Sequence, residues 1–435
     1  MRSVLFACGT EYHLLMTLIL STTAYAGRPK TLLLYDTPRT RPYLERARAL
    51  GVWDEVILIE SAAPAEAYEA LFAEHLGRAD VLHTFTWGFP HFNTLMARGH
   101  AVGVPVILTD EGLLTYSPRR RFADWVARKH DGAFLARDFA FEAVSEIWLL
   151  EPALLLEPPG CPVRKIDLGA FVAACRTEAG LAERFRRLFN LSPAMALKAE
   201  AVLFRQYFPL LEVLPPEVDA WLDGAVCAAF RPVRLAIKNH PAWVNPRLSE
   251  VGNNFAGADR PWEALLLLGQ ITPEAAGSPP RAYISLASSA MLKTALLGME
   301  GTYFFLHRLM ARYADWQDTT VDDLIERLRL IFPQMRFSAP ADWDELRADL
   351  ADLGRREGWA LDLDALPTAA DEPVLWRGIG LTYWREHCEQ ARRLQALEQE
   401  VRHLRLQVEQ KEAVLREVIR LMNLTADILR KEVGE

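Results

Sequence analysis

Residues 3–20 read SVLFACGTEYHLLMTLIL, and the fold turns on whether this run is a leader or the start of a sheet. As a leader it offers the apolar stretch Leu14 to Leu20, and Ala24-Tyr25-Ala26 before Gly27 imitates a cleavage site. Against that reading, Arg2 is the only charge at its start, and Glu11 and His13 stand just ahead of the apolar stretch. The better reading is a strand from Val4 to Ala7, a turn at Cys8-Gly9-Thr10, a helix from Glu11 to Thr22 and a second strand beginning at Leu32. That is a β-α-β unit. No uninterrupted apolar run reaches the roughly 20 residues of a membrane span.

The same alternation continues outward. Further strands are expected at 55–59, 80–85, 104–109 and 146–150, with helical patterns from Pro42 to Leu50 and from Pro64 to Leu76. After residue 166 the alternation resumes. Strands are expected at Ala201 to Phe204, Arg234 to Ile237, Ala282 to Leu286 and Thr302 to Leu306, with helices from Glu217 to Phe230 and from about Ala290 to Leu297. The organisation predicted is an α/β domain over 1–165, a second over 166–380 and a different segment over 381–435. Two such domains face each other across a cleft. Ligands of open parallel sheets sit at the C-terminal strand ends.

The 435 residues carry a net charge of -8, half are hydrophobic and 24% are charged. This is globular composition, and it gives nucleic acid no basic field to bind. The five cysteines, Cys8, Cys161, Cys175, Cys227 and Cys388, are scattered and lack a C-x-x-C spacing, so neither structural zinc nor a disulfide framework is expected. A reducing compartment, the cytoplasm, suits them.

The last segment is unlike the rest. Leu394, Val401, Val408, Leu415, Met422 and Leu429 recur every seventh residue, with Leu397, Leu404 and Val418 between them and Lys411 and Thr425 interrupting the seam. This predicts a coiled-coil helix and a homo-oligomer. The alternatives are a single amphipathic helix packed on its own domain and a helix lying on a membrane surface.

Four short segments could carry chemistry. Asp110-Glu111-Gly112 follows the strand Val104 to Leu108, and a carboxylate at a strand end can act as a general base. Lys238-Asn239-His240-Pro241 follows the strand Arg234 to Ile237 and gives a stiffly mounted histidine able to bind a phosphate oxygen. Arg260-Pro261-Trp262-Glu263 opens an apolar helix. Ser288-Ser289 lies between a strand and a helix, where free N–H groups suit a phosphate. Each also has a plain structural reading: a turn with solvated acids, a capped strand end, a first-turn acid and an ordinary N-cap. Beside them, His83, Trp87, His91 and Asn93 could line the acceptor side, Arg119, Arg120 and Arg121 could attract an anion, and Gln206 could reach a nucleotide.

In order and spacing the four segments resemble the bacterial sialyltransferases, in their lipooligosaccharide and polysialyltransferase branches. The likeness covers roughly residues 1 to 330, thinly outside the motifs. It implies a GT-B-like fold of two Rossmann-like domains and a CMP-sugar donor. Asp110 would be the base, His240 the phosphate contact and acid to the leaving group, and Glu263 the cytosine reader. Ser288 and Ser289 would hold the phosphate, with Lys238 and Pro241 supporting His240. Two features depart from the family pattern: Glu111, where aspartate is more usual, and the segment Gly277-Ser278-Pro279-Pro280, which reads as an insertion.

The function so implied is inverting transfer of sialic acid, or a related nonulosonic acid, to a glycan acceptor. It needs no cofactor. One phosphate can be neutralised without a metal, and the only Asp-x-Asp noted, Asp362-Leu363-Asp364, lies late in the chain. Rival readings are transfer of another CMP-linked acid sugar, or a scaffold whose coiled coil gathers partners around an inactive transferase domain. Cytoplasmic location, with peripheral contact to the inner membrane face, is the matching expectation.

Overall fold

A computed structural model describes residues 3–368, apart from 86–88, 119–142, 196, 207–215, 241–254, 273–277, 287 and 314–319. The heptad segment, and with it the coiled-coil and oligomer expectations, lies outside the described residues, as do Trp87, Arg119, Arg120, Arg121 and Pro241.

The first sheet contains β1 (Ser3–Cys8), β2 (Lys30–Tyr35), β3 (Glu55–Ile59), β4 (Ala79–Thr84), β5 (Val106–Thr109), β6 (Val144–Leu149) and β7 (Val163–Lys165). Their order is β3-β2-β1-β4-β5-β6-β7, and every pairing is parallel. The second sheet contains β8 (Ala201–Phe204), β9 (Leu235–Lys238), β10 (Ala282–Ser285), β11 (Thr302–Phe305) and β12 (Arg336–Ser338). Its order is β12-β11-β10-β8-β9, again all parallel. Each sheet therefore has a point where the winding reverses, between β1 and β4 in the first and between β8 and β10 in the second. Such points are where doubly wound sheets open a crevice for ligands.

The strands read as continuous apolar runs because helices cover both sheet faces. Val4, Leu5, Phe6 and Ala7 in β1, and Leu32, Leu33 and Leu34 in β2, are all buried. The run that imitates a leader is the helix Glu11–Thr22, in which every residue from Tyr12 to Ser21 is buried. It lies on the first sheet and packs against the helix Leu168–Thr177, so its apolar character serves the core on all sides. Thr10 caps it by accepting a bond from the His13 amide at 3.2 Å. Among the described residues no helix is long and apolar enough to cross a membrane.

The two sheets are tied together through side chains. The helices Leu168–Thr177 and Ala179–Phe189 both pack on Trp262–Ile271. Arg46 donates to the Leu188 carbonyl at 2.8 Å, and Arg327 in the helix Thr320–Ile331 donates to the carbonyls of Ala153 and Leu156 at 3.2 and 3.1 Å. The short strands β7 and β12 escape the sequence reading. Val163-Arg164-Lys165 and Arg336-Phe337-Ser338 are edge strands of three residues, too brief and too polar to show a period.

Candidate functional site

The C-terminal ends of β1, β5, β8, β9 and β10 converge on a cleft of about 270 Å³. Glu111 of the acid motif, Lys238 and His240, Glu263, and Ser288 with Ser289 all line it. Four segments spread over nearly 180 positions of sequence thus meet at one place. Its lining cations are Arg39, Arg205, Lys238, Arg260 and Lys293, against the carboxylates Glu11, Glu111 and Glu263. In a chain of net charge -8, that local excess of cations suits an anionic ligand.

The first sheet supplies Thr10 to His13 and Glu111. The turn after β1 requires glycine at position 9, since a Cβ there would run into the Phe89 ring. The Gly9 amide donates to Nδ1 of His13 at 3.1 Å. The His13 ring stacks on Phe85, with centroids 4.5 Å apart and planes at 8°. Burial, and after it the charge of Lys293, hold the His13 pKa well below the usual imidazole range. His13 is therefore neutral, and its approach to Glu111 is not an ion pair.

Asp110 departs from its expected place. It is fully buried and does not line the cleft. Its Oδ1 accepts from the Tyr12 hydroxyl at 3.3 Å, and its Oδ2 accepts from the Tyr116 hydroxyl and from the Leu150 amide, the latter at 3.1 Å. Burial pushes its carboxyl pKa upward, while these donors and Lys293 oppose the shift. Burial and the Asp110 charge keep Tyr12 and Tyr116 protonated as donors. Access to the cleft, the property a base needs, belongs to Glu111, whose amide is fixed by the Thr115 hydroxyl at 3.0 Å. The physical reason lies just beyond the end of β5: the Tyr12 and Tyr116 hydroxyls and the Leu150 amide draw the Asp110 carboxylate inward, and Glu111 is left at the opening.

Gly112 completes the motif for two reasons. Its φ is +123°, and a Cβ would lie 2.9 Å from Cε of Lys293 and 3.3 Å from Cβ of Ser289. The loop after β5 thus rests directly on the helix Ser289–Leu296.

The second sheet supplies the rest. Lys238 lines the cleft, but its Nζ donates to the carbonyls of Ala258 and Arg260. Burial lowers its pKa, against the pull of Glu263 and Glu11. Lys238 therefore braces the loop before Pro261 as well as contributing charge. Glu263 stands in the first turn of the helix Trp262–Ile271, where Trp262 is fixed by a 2.8 Å bond to the Thr294 hydroxyl. Its Oε1 lies 3.3 Å from Nζ of Lys293, and both side chains are buried. Ser288 caps the helix Ser289–Leu296 by accepting from the Ala290 amide at 3.2 Å, and its own amide donates to the Ser285 hydroxyl at 2.9 Å.

Sequence reasoning missed several cleft residues: Glu11, Tyr12, His13 and Arg39 on the side of the first sheet, Arg205 and Lys293 on that of the second. Arg205 directly follows β8 and is held by Asp223. Its neighbour Gln206, the residue singled out from sequence, does not line the cleft. Lys293 lies four residues after Ser289, so helical spacing puts both on one face. A cation just after a strand, and one a turn beyond a phosphate-type cap, were the available signals. His83 and His91 turn out to be core residues. His83 bonds the Tyr25 and Thr109 hydroxyls at 2.8 and 2.9 Å, and burial pushes its pKa down to about 3. His91 bonds the Ala63 carbonyl at 2.7 Å, and Asn93 is buried outside the cleft. Asp362 and Asp364 belong to a turn after the helix Trp343–Glu357 and do not reach the cleft. Among the described residues no three His, Cys, Asp or Glu side chains gather as metal ligands.

No family model matches the chain, and no curated protein matches it. Solved structures show a distant likeness. A protein from Listeria monocytogenes assigned as a UDP-N-acetylglucosamine 2-epimerase is 11% identical, over 82% of this chain and 97% of that one, with a TM-score of 0.44. Arabidopsis thaliana UGT89C1 in complex with UDP is 16% identical, over 83% of this chain and 92% of that one, at 0.40. A UDP-glucosyltransferase from Polygonum tinctorium is 10% identical, over 82% and 91%, at 0.39. At these identities and TM-scores the likeness carries nothing about donor, acceptor or activity.

Proposed function

We propose that this chain is a GT-B-like glycosyltransferase that moves sialic acid, or a related nonulosonic acid, from a CMP-linked donor to a glycan hydroxyl. One observation carries the reading. Glu111, His240, Glu263 and the Ser288–Ser289 pair, which are far apart in sequence, line a single cation-rich cleft where both sheets reverse their winding.

The donor is anionic twice over, in its phosphate and in its acid sugar, and the lining cations match that charge. The Ser288 and Ser289 hydroxyls, at the positive end of the helix Ser289–Leu296, bind the phosphate. His240 donates to the departing phosphate oxygen. Glu263, fixed by Lys293, accepts from the cytosine amino group. The acceptor hydroxyl attacks the anomeric carbon as the bond to phosphate breaks. Its proton passes to Glu111, and CMP leaves. Attack opposite the leaving group inverts the anomeric centre, through an oxocarbenium-like transition state. The resemblance gives the base role to Asp110; the proposal follows cleft access and gives it to Glu111, with Asp110 holding Tyr12 and Tyr116 beneath. The heptad run supplies the partner, a second copy of the chain.

The test is product release. The full chain is incubated with CMP-linked and UDP-linked sugars and a panel of glycan acceptors. Acceptor-dependent release of CMP from a CMP-linked acid sugar, undiminished by EDTA, is expected. Turnover of UDP-sugars alone would overturn the donor assignment.

A further inference from the structure

His13 is not needed by any step above, yet it is held on several sides in the cleft wall. It is 1% exposed. Its ring plane is fixed by the stack on Phe85, and its Nδ1 accepts the Gly9 amide hydrogen at 3.1 Å. A neutral imidazole has one N–H, so the proton sits on Nε2. That Nε2 is buried with no hydrogen-bond partner. Oε1 of Glu111 stands 4.0 Å away. A buried donor left unmet is costly, and a movement of about 1 Å brings the pair to an ordinary hydrogen bond near 2.9 Å.

We propose that His13 is a positioning residue for Glu111: when the cleft is filled, its Nε2–H takes Oε1 of Glu111 and turns the carboxylate toward the acceptor hydroxyl. This rests on the reading of Glu111 as the base. The Gly9 amide, the His13 ring and the Glu111 carboxylate then form one polarised chain, fixed at its far end by the turn after β1. Neutrality matters here. An imidazolium would pair with the carboxylate and weaken it as a base, whereas a neutral donor orients it. Lys293, from the helix Ser289–Leu296, is the charge that faces this pair from the second sheet's side, and it disfavours a proton on the ring. The Phe85 stack on the ring and the perpendicular Phe89 ring beside it hold His13 in this orientation.

The test follows the side chains by NMR in the full chain saturated with CMP, labelled at histidine and glutamate, with Glu111→Gln assigning the carboxyl. In the wild type, His13 is expected neutral and protonated on Nε2 near pH 7. His13→Phe is expected to raise the midpoint of the Glu111 titration by about one pH unit, since a lost donor disfavours the carboxylate. His13→Gln, whose amide offers a comparable N–H, restores most of it. The acid limb of the transfer rate moves with the midpoint, kcat falls, and CMP affinity stays unchanged. A charged or Nδ1-protonated ring, or an unmoved Glu111 midpoint in both variants, overturns the proposal. Where His13→Phe fails to fold, the wild type decides: a His13 Nε2–H resonance that moves downfield on CMP binding upholds the contact, and one that does not move overturns it. A moved midpoint with an unmoved rate profile upholds the His13–Glu111 relation and overturns only the assignment of Glu111 as base.

Discussion

Lys293 sits on Tyr12, with its Nζ 3.3 Å from the centroid of the tyrosine ring. The same ammonium pairs with Glu263 at 3.3 Å, and the Tyr12 hydroxyl donates to Asp110. A chain of contacts therefore runs from the acid motif of the first sheet, through one lysine, to the motif helices of the second. The cation lies over an aromatic face away from water, where such a contact contributes about 2 kcal/mol.

Lys293 is accordingly expected to matter for stability as well as for the site. Lys293→Met leaves the Glu263 carboxylate buried without its partner, which costs about 3 to 5 kcal/mol. Adding Glu263→Gln should recover a large part of that loss. Urea unfolding of the two variants checks this. A single variant as stable as the wild type would show that the lysine does not join the two halves.

The two acids of the first motif should separate cleanly. Glu111→Gln is expected to lower transfer by about two to four orders of magnitude while CMP affinity holds. Asp110→Asn removes a charged acceptor from Tyr12, Tyr116 and the Leu150 amide, and is expected to cost about 1 to 3 kcal/mol of stability. Steady-state kinetics on folded protein decide between them. Full activity in Glu111→Gln with none in a stably folded Asp110→Asn would return the base role to Asp110.

His83 gives the fold an acid-side weakness. Burial depresses its pKa to about 3 in the folded state, against about 6.5 when unfolded. The unfolded chain therefore binds the extra proton first, and stability present above pH 6.5 is lost as the pH falls toward 3. From pH 7 to pH 5 this one residue withdraws about 2 kcal/mol. His83→Gln, which cannot titrate, should lose that much less over the same interval. Unfolding curves at the two pH values measure the difference, and equal losses would mean that His83 takes up its proton as readily in the fold as in the unfolded chain.

The heptad segment has no part in the chemistry, so its expected role is assembly. Removal of the chain from about Thr382 onward should convert a dimer to a monomer that still turns over soluble acceptors. Light scattering on both forms checks it. A monomeric full-length chain would favour the packed-helix or membrane-surface alternatives, which liposome flotation then separates.

The strands were legible because helices cover both sheet faces, so β1, β2, β8 and β10 are unbroken apolar runs bounded by turns. The helix Glu11–Thr22 was legible only through its flanks, since burial on all sides erases the amphipathic period. Side-chain direction was not legible. Adjacent acids at a strand end look equivalent in sequence, and only the packing of Tyr12 and Tyr116 sends Asp110 inward. Arg205 and Lys293 escape the sequence reading because Asp223, Tyr12 and Glu263, which they pack against, lie 18, 281 and 30 residues away along the chain. For His83 in β4 and His91 in the helix Pro90–Ala101 the sequence leaves cleft lining and plain packing equally open, because it carries no mark of the hydroxyl or carbonyl that satisfies each ring.

The central claim is that the cleft is a CMP site, and calorimetry on the full chain tests it most directly. CMP is titrated into the wild type, into His240→Ala and into the double change Ser288→Ala/Ser289→Ala, with UDP as the comparison ligand. The account predicts that CMP binds at least about tenfold more tightly than UDP and that both variants weaken it about tenfold or more, which is about 1.4 kcal/mol each. UDP binding as tight as CMP, or CMP affinity unchanged in both variants, would contradict it.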